Sequence, residues 1–229
     1  NRAKMSFVDC QPIKASSVPL CNLKVNSMTN PLAASPPLIS TPCLIVVDPG
    51  HGGHDVGTQS VSKPRYQEKS FNLVTAKFVK NYLEQLGYQV AMTREEDRFL
   101  SLERRARFAN EKKPALFVSI HFNAALNPDA QGIEVFYYPS LSDKKRATKS
   151  RCLAQLVLKQ LLMRTTAKSR GVKQGNFAVI RETQMAAILV ETPWLTNESE
   201  LQKINTHRHL NCRAKGITDF SDNYLRTQK

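Results

Sequence analysis

The sequence predicts an α/β fold, with one three-layer domain and a twisted, mostly parallel sheet covered by helices on both faces. Three observations carry this expectation. Short, almost wholly apolar runs recur at Leu44–Asp48, Ala115–His121 and Ala187–Glu191. Strands buried on both faces read as continuous apolar runs rather than as alternating ones. Longer stretches with apolar residues at helical spacing lie between these runs, and strand–helix alternation calls for crossover connections and parallel pairing.

The elements follow in chain order. Prolines at 12, 19, 31, 36, 37 and 42, with interspersed Ser, Asn and Thr, break every period before residue 43. Residues 1–42 are therefore expected to be a flexible tail and 43–229 the folded domain. Leu44–Asp48 reads as a buried strand. Phe71, Val74, Phe78, Tyr82 and Leu86 recur at helical spacing, and Gly87 is a C-terminal stop. Tyr88–Thr93 is a strand, Leu102–Asn110 an arginine-rich helix with Pro114 beyond it, and Ala115–His121 a strongly apolar strand. Gly132–Tyr138 is of strand type, Lys144–Met163 a long amphipathic helix, and Phe177–Ile180 and Ala187–Glu191 are short strands. The segment from Glu198 to Arg226 reads as mostly helical.

Composition narrows the function classes. The 229 residues are 41% hydrophobic, enough for a core, and no apolar run suggests a membrane span. Lys and Arg number 33 against 19 acids, a formal charge of +14. The excess is concentrated: residues 143–173 hold ten Lys/Arg and one acid, Asp143. Such a stretch is either a solvated helix face or a landing surface for an anionic partner, a membrane or an acidic cell-surface polymer. No nucleic-acid-binding pattern accompanies it, and aromatics are few, so nucleic acid is not expected as a partner. The five cysteines show no C-x-x-C spacing, which argues against a thiolate metal site. Five is also odd, leaving one thiol over unless an intermolecular bond forms.

In open sheets of this kind the site lies outside the carboxyl ends of the strands. The first strand ends in Asp48-Pro49-Gly50-His51, the strand from Ala115 in His121-Phe122-Asn123, and the strand from Ala187 in Glu191. Glu68 sits where the loop fed by the first strand meets the first helix. Two histidines and two glutamates thus arrive at one edge. Two His and one Glu form a ligand set for catalytic Zn²⁺, and the spare Glu suits proton transfer to a leaving amine. The glycines after His51 would let backbone approach a metal or substrate closely. His54, His207 and His209 remain competing ligands at this level, and Glu68 could equally be an N-terminal helix charge.

These residues carry a resemblance. V-D-P-G-H-G-G at 47–53, E at 68, T-R at 93–94, L-x-x-R-x-x-x-A-N at 102–110, F-V-S-I-H-F-N-A at 117–124, S-R-G-V-K at 169–173, I-L-V-E-T at 188–192 and L-T-N-E at 195–198 occur in order. Together they resemble the zinc-dependent N-acetylmuramoyl-L-alanine amidases of the amidase-3 type, bacterial cell-wall hydrolases. The resemblance implies Zn²⁺ held by His51, Glu68 and His121, with Glu191 as the catalytic carboxylate. It also implies peptidoglycan, a muropeptide or a lipid-linked precursor as substrate, and a place in the periplasm or cell envelope. Asn123, Arg94 and Asp55, in or next to the matched motifs, are candidate substrate contacts. Phe122, Thr192-Pro193-Trp194 and Ala187 depart from the family pattern and are expected to reshape the peptide side of the cleft. Only the basic segment 139–150 stands where some relatives carry a blocking insertion, so an open site needing no activator protein is expected.

Two other readings compete. Ser60/Lys63 and Ser142/Lys145 fit S-x-x-K, and Ser221/Asn223 fits S-x-N, patterns of penicillin-sensitive serine acyltransferases. The third reading is a wall-binding module without catalysis.

Overall fold

The apolar runs become the centre of a six-stranded sheet in the computed structural model, which describes residues 43–227. The expected tail, 1–42, lies outside the described residues. In chain order the elements are β1 (Leu44–Pro49), α1 (Glu68–Gln85), β2 (Gln89–Met92), α2 (Leu102–Lys112), β3 (Leu116–Asn123), β4 (Ile133–Tyr137), α3 (Lys144–Arg164), β5 (Ser169–Gln174), α4 (Ala178–Arg181), β6 (Ala186–Trp194), α5 (Glu198–Ile204) and α6 (His207–Thr227). The strand order is β2-β1-β3-β6-β4-β5. β2, β1, β3 and β6 are parallel, β4 runs antiparallel to β6, and β5 is parallel to β4.

Side-chain alternation divides the buried strands between two cores. Ile45, Val47, Leu116, Val118, Ile120, Ile188 and Val190 face the thicker layer, with Val79 and Leu83 of α1, Leu153 and Val157 of α3, and Ala214 and Ile217 of α6. Val46, Phe117, Ala187 and Leu189 face a thinner layer made by Ala109 of α2 and Val179 and Ile180 of α4. The same alternation puts Asp48, Ser119, His121 and Glu191 on the thin-layer side. Glu134 shares that side, being two residues from Phe136, which packs on the thin core. Arg105 of α2 covers the carboxyl end of β1, while His51, His121 and Glu191 beyond it are partly exposed, and this edge is the candidate site.

Helix starts follow side-chain chemistry. Ser101 caps α2 by accepting from Arg104 N, and Asp143 caps α3 by accepting from Arg146 N. Lys113 closes α2 in the left-handed region. No helix is long and apolar enough to cross a membrane among the described residues.

Two expectations need correction. Phe177–Ile180 is not a strand: Phe177 is the N-cap of the single-turn helix α4. Four apolar residues cannot distinguish the two periods. β5 was not anticipated, because Ser-Arg-Gly-Val-Lys-Gln at the sheet edge has little apolar character.

Candidate active site

β1 ends in a loop whose geometry is set by close packing rather than by looseness. His51 has φ 59°, a left-handed value that a residue with a Cβ adopts at a cost of about 1–3 kcal/mol. Surrounding contacts hold it there: Gly50 N donates to Ile120 O (3.0 Å), Gly52 N to Asp55 O (2.8 Å), and Arg105 Nη2 to His51 O (2.7 Å). Strain retained by so many contacts accompanies a required side-chain direction.

That direction brings His51 to Glu68 and His121. His51 Nε2 lies 3.1 Å from Glu68 Oε2, and His121 Nδ1 lies 3.0 Å from Glu68 Oε1. Potential ligating atoms of the three residues all fall within 4.8 Å of one another. Glu68 opens α1, but its carboxylate turns into the sheet edge and accepts from Thr58 N, Phe122 N and Asn72 Nδ2. His51 Nδ1 lies 2.9 Å from both Asp55 oxygens, which leaves Nε2 facing Glu68. This is the outer-shell support that metal-binding histidines use.

Two glycines are required by this packing. A Cβ on Gly50 would lie 2.1 Å from His121 Cε1, and one on Gly57 would lie 2.5 Å from Glu68 Oε2 and 2.7 Å from His51 Cδ2. The glycines that approach His51, Glu68 and His121 are thus 50 and 57. Gly52 and Gly53, directly after His51, press instead against the Arg98–Phe99 backbone. Gly50→Ala is expected to displace the His121 ring and weaken zinc binding on the order of 10–100-fold. Zinc stoichiometry after dialysis against a graded chelator checks this.

Glu191 completes the edge. It pairs in register with His121 across β3 and β6, and with Glu134 across β6 and β4. Its Oε2 is buried without a hydrogen-bond partner, an orphan acceptor beside two histidines. Burial raises Glu191 to about 7, with His121 opposing and Glu68 and Glu134 adding.

The histidines shift in the opposite sense. Burial disfavours charging His51, but the Glu68 carboxylate, and then Asp55, outweigh it and hold the imidazole at about 9. His121 is likewise raised against burial, chiefly by Glu68. Glu68 is lowered: burial opposes this, and its hydrogen bonds to the two histidines prevail. In the metal-free protein the folded-state pKa of His51 lies above 6.5. Its stabilisation is full below pH 6.5 and is lost as pH rises through about 9. A metal must displace these protons. Loading the site with zinc at pH 7 is therefore expected to release a proton from His51, and affinity should climb with pH towards 9. Calorimetry in buffers of different ionisation enthalpy reads that release directly.

The remaining site expectations fall as follows. Arg94 is fully buried, and its guanidinium donates to Pro49 O, Gly50 O, Lys69 O and Glu96 O. It braces the loop from beneath instead of facing a substrate. Asp55 orients His51. Asn123 Nδ2 donates to Glu134, and its Oδ1 accepts from Ala124 N. His54 stacks on Phe99, and His209 bonds Thr206, so neither joins the ligand cluster. His207 sits edge-on to Phe78, also apart from it. Phe122, Thr192, Trp194 and Ala187 are buried: Phe122 packs on Phe71, Thr192 accepts from Arg213, and Trp194 Nε1 donates to Gly132 O. The family departures are therefore buried, Trp194 lying beneath the guanidinium of Arg170.

The serine motifs do not form nucleophile–lysine pairs. Ser60 Oγ accepts from Tyr66 N and donates to Ser62 O in an irregular loop. Ser142 precedes the α3 cap and shares a hydrogen bond with Ser140. The side chains of Ser221 and Asn223 lie outside the described residues.

Sequence reasoning overlooked Asp48, Arg105 and Glu134 as parts of the site. Asp48 and Arg105 stand in the motifs at 47–53 and 102–110, and a carboxylate inside an apolar strand with an arginine on an otherwise solvated helix was the available signal.

This donor set suits a class of hydrolase that works through one bound metal ion. The model of the N-acetylmuramoyl-L-alanine amidase family matches residues 45–220. The chain is 34% identical over 181 residues to a probable cell wall amidase, LytH, of Staphylococcus epidermidis. That match covers 79% of this chain and 58% of the relative, so the chain spans little more than half its length. The fold superposes with a TM-score of 0.77 on the N-acetylmuramoyl-L-alanine amidase of Clostridium difficile 630, at 38% identity, covering 83% of this chain and all of that one. The catalytic domain of CwlV from Bacillus (Paenibacillus) polymyxa gives 0.71 at 34% identity, covering 80% and 98%. The chain belongs to the N-acetylmuramoyl-L-alanine amidase family.

Proposed function

We propose that this chain hydrolyses the amide between N-acetylmuramic acid and the L-alanine of the stem peptide, in peptidoglycan or its precursors, and that it depends on Zn²⁺. The observation that carries the proposal is the convergence of His51, Glu68 and His121 within 4.8 Å, beside the orphan carboxylate oxygen of Glu191. His51, Glu68 and His121 would hold the ion, which supplies Lewis acidity to the scissile carbonyl and lowers the pKa of water at the site. Asp55 and Asn72 keep His51 and Glu68 in position. Glu191 takes a proton from the attacking water as the new C–O bond forms. It then returns that proton to the alanine nitrogen as the C–N bond breaks, leaving a lactyl carboxyl group and a free peptide amine. A carboxyl group held near neutrality by burial suits both steps.

The basic stretch 143–173 supports weak attraction to anionic wall polymers or lipid headgroups, and the substrate argues for action in the cell envelope. The connection from β4 to α3 is short, Tyr138 to Asp143, which supports a cleft that works without an activator protein. The test is digestion of purified muropeptides by the isolated protein, read by mass spectrometry. Free stem peptide is expected, lost with a chelator and restored by Zn²⁺. Cleavage that persists after zinc is stripped would sink the metal assignment, and loss of only a terminal D-alanine would revive the serine chemistry.

A further inference from the structure

Beyond Glu191 the sheet continues through β4 to the edge strand β5, and its chemistry changes along the way. Glu134, level with Glu191 on the neighbouring strand, is only 5% exposed. Its Oε1 accepts from Asn123 Nδ2 (2.8 Å), and its Oε2 accepts from Arg170 Nε (3.1 Å) and from Lys173 Nζ. Two cations thus share one buried carboxylate, more positive charge than Glu134 alone balances. Both are partly open, with 35% and 41% of their side chains exposed. Arg170 is also fixed from behind, its guanidinium lying 4.6 Å from the ring centre of the buried Trp194. Among the described residues only its Nε is engaged by a side chain, so both Nη groups are available to a ligand. Phe177, 39% exposed, stands edge-on to Phe136 at 5.0 Å and gives the same end of the sheet an apolar wall.

Strand pairing around Glu134 is not enough to explain this arrangement. One cation would neutralise the carboxylate. A second, with the first held by stacking in a geometry that leaves its fork outward, is a preorganised anion site. On the His51 side the nearby carboxylates are already engaged, Asp55 by His51 and Asp97 by Lys69. Of the two groups joined by the proposed scissile bond, the sugar is neutral and the peptide bears carboxylates. Charge complementarity therefore assigns the peptide to the β5 end.

We infer that Arg170 and Lys173, anchored by Glu134, form a subsite for a carboxylate of the peptide leaving group, so that the protein selects acidic over amidated stem peptides. This rests on the amidase reading. The spacing limits which carboxylate is meant. β5 lies two strands from β6, about 10 Å at ~4.8 Å per strand, the reach of about three extended residues. The second or third residue of the peptide is the one addressed.

The experiment compares two muramoyl peptides that differ only in whether the second and third residues carry free carboxylates or carboxamides. The zinc-loaded protein cleaves both, and kcat and KM are measured separately. Removing both cations alone would leave Glu134 buried without a counter-ion. The main variant is therefore Glu134→Gln/Arg170→Gln/Lys173→Gln, and Lys173→Gln, which keeps Arg170 on Glu134, is the milder second one. Zinc content and Tm are read on each. The expected result is a preference of the unaltered protein for the acidic peptide by about tenfold in KM, the scale of a charge-assisted hydrogen bond. The triple variant should lose most of that preference and Lys173→Gln part of it. Equal cleavage of the two peptides by the unaltered protein would overturn the subsite. So would variants that slow both peptides alike at unchanged zinc content and Tm. Cleavage of neither peptide by the unaltered protein is a different failure, that of the amidase reading itself.

Discussion

Replacing Glu191 with Gln is expected to lower kcat for amide hydrolysis by about 10²–10⁴-fold, while zinc content and fold are kept. The substitution preserves size and burial and removes only the ability to accept a proton. Glu191 is not among the three residues whose ligating atoms converge, so metal binding should survive. In the metal-free protein its folded pKa, about 7, lies above the ordinary 4.5, because burial disfavours the charged carboxylate. An acid raised in this way destabilises the fold as pH climbs from 4.5 through 7. Glu191→Gln should then match or exceed the parent in metal-free Tm at pH 8, a site residue whose loss stabilises. With zinc bound, the cation's own charge draws Glu191 downward. Activity rises as the group deprotonates, so the acid limb of the pH–rate profile should fall below 7 in the parent and vanish in the variant. Retention of full kcat in Glu191→Gln would assign proton transfer to another group.

The central sheet and the edge where the site lies were legible because β1, β3 and β6 are buried on both faces. Their polar residues are few and cluster toward the carboxyl ends: Asp48, Ser119, His121, Asn123, Glu191 and Thr192. The periphery was not legible for the converse reason. β5 is stabilised by partners on one side only, so Ser169–Gln174 has no need of an apolar pattern, and α4 is too short for a period to develop. Roles within the site were harder to read than membership of it. Arg94 and Asn123 stand in the matched motifs, Asn123 two residues from His121, yet their side chains turn to backbone carbonyls and to Glu134. Membership of a motif says nothing about which way a side chain points once the strand's alternation and the loop's left-handed turn at His51 have acted. The glycines illustrate this best. Gly52 and Gly53 follow His51 directly and pack elsewhere, whereas Gly50 and Gly57 are the ones against which His121, His51 and Glu68 rest.

Arg105→Ala is expected to destabilise the fold by about 3–5 kcal/mol, the scale for leaving one member of a buried ion pair without its partner. For a domain of this size that corresponds to a Tm drop on the order of 10 °C. Asp48 is fully buried, and its carboxylate accepts from Arg105 Nη1 (2.8 Å), Thr93 Oγ1 and Ser119 Oγ. Burial alone would raise Asp48. Arg105 and these hydrogen bonds overcome it and hold the carboxyl below 3.8. The stabilisation is therefore present above pH 3.8 and is lost as pH falls below it, so the gap between parent and variant should narrow in acid. Arg105 does more than balance Asp48. It also donates to Pro49 O, to His51 O and to Leu100 O, tying α2 and the segment before it to the strained turn that aims His51. The variant should accordingly lose zinc affinity as well as stability, and lose it even at temperatures where the fold persists. Arg105→Lys tests the distinction: it keeps the charge against Asp48 but not the planar fork that reaches several acceptors at once. Its Tm should lie between those of the parent and Arg105→Ala, with zinc affinity nearer the Ala variant. If Arg105→Lys instead recovered zinc affinity fully, charge alone would account for Arg105, and the left-handed turn at His51 would be held by the remaining loop contacts.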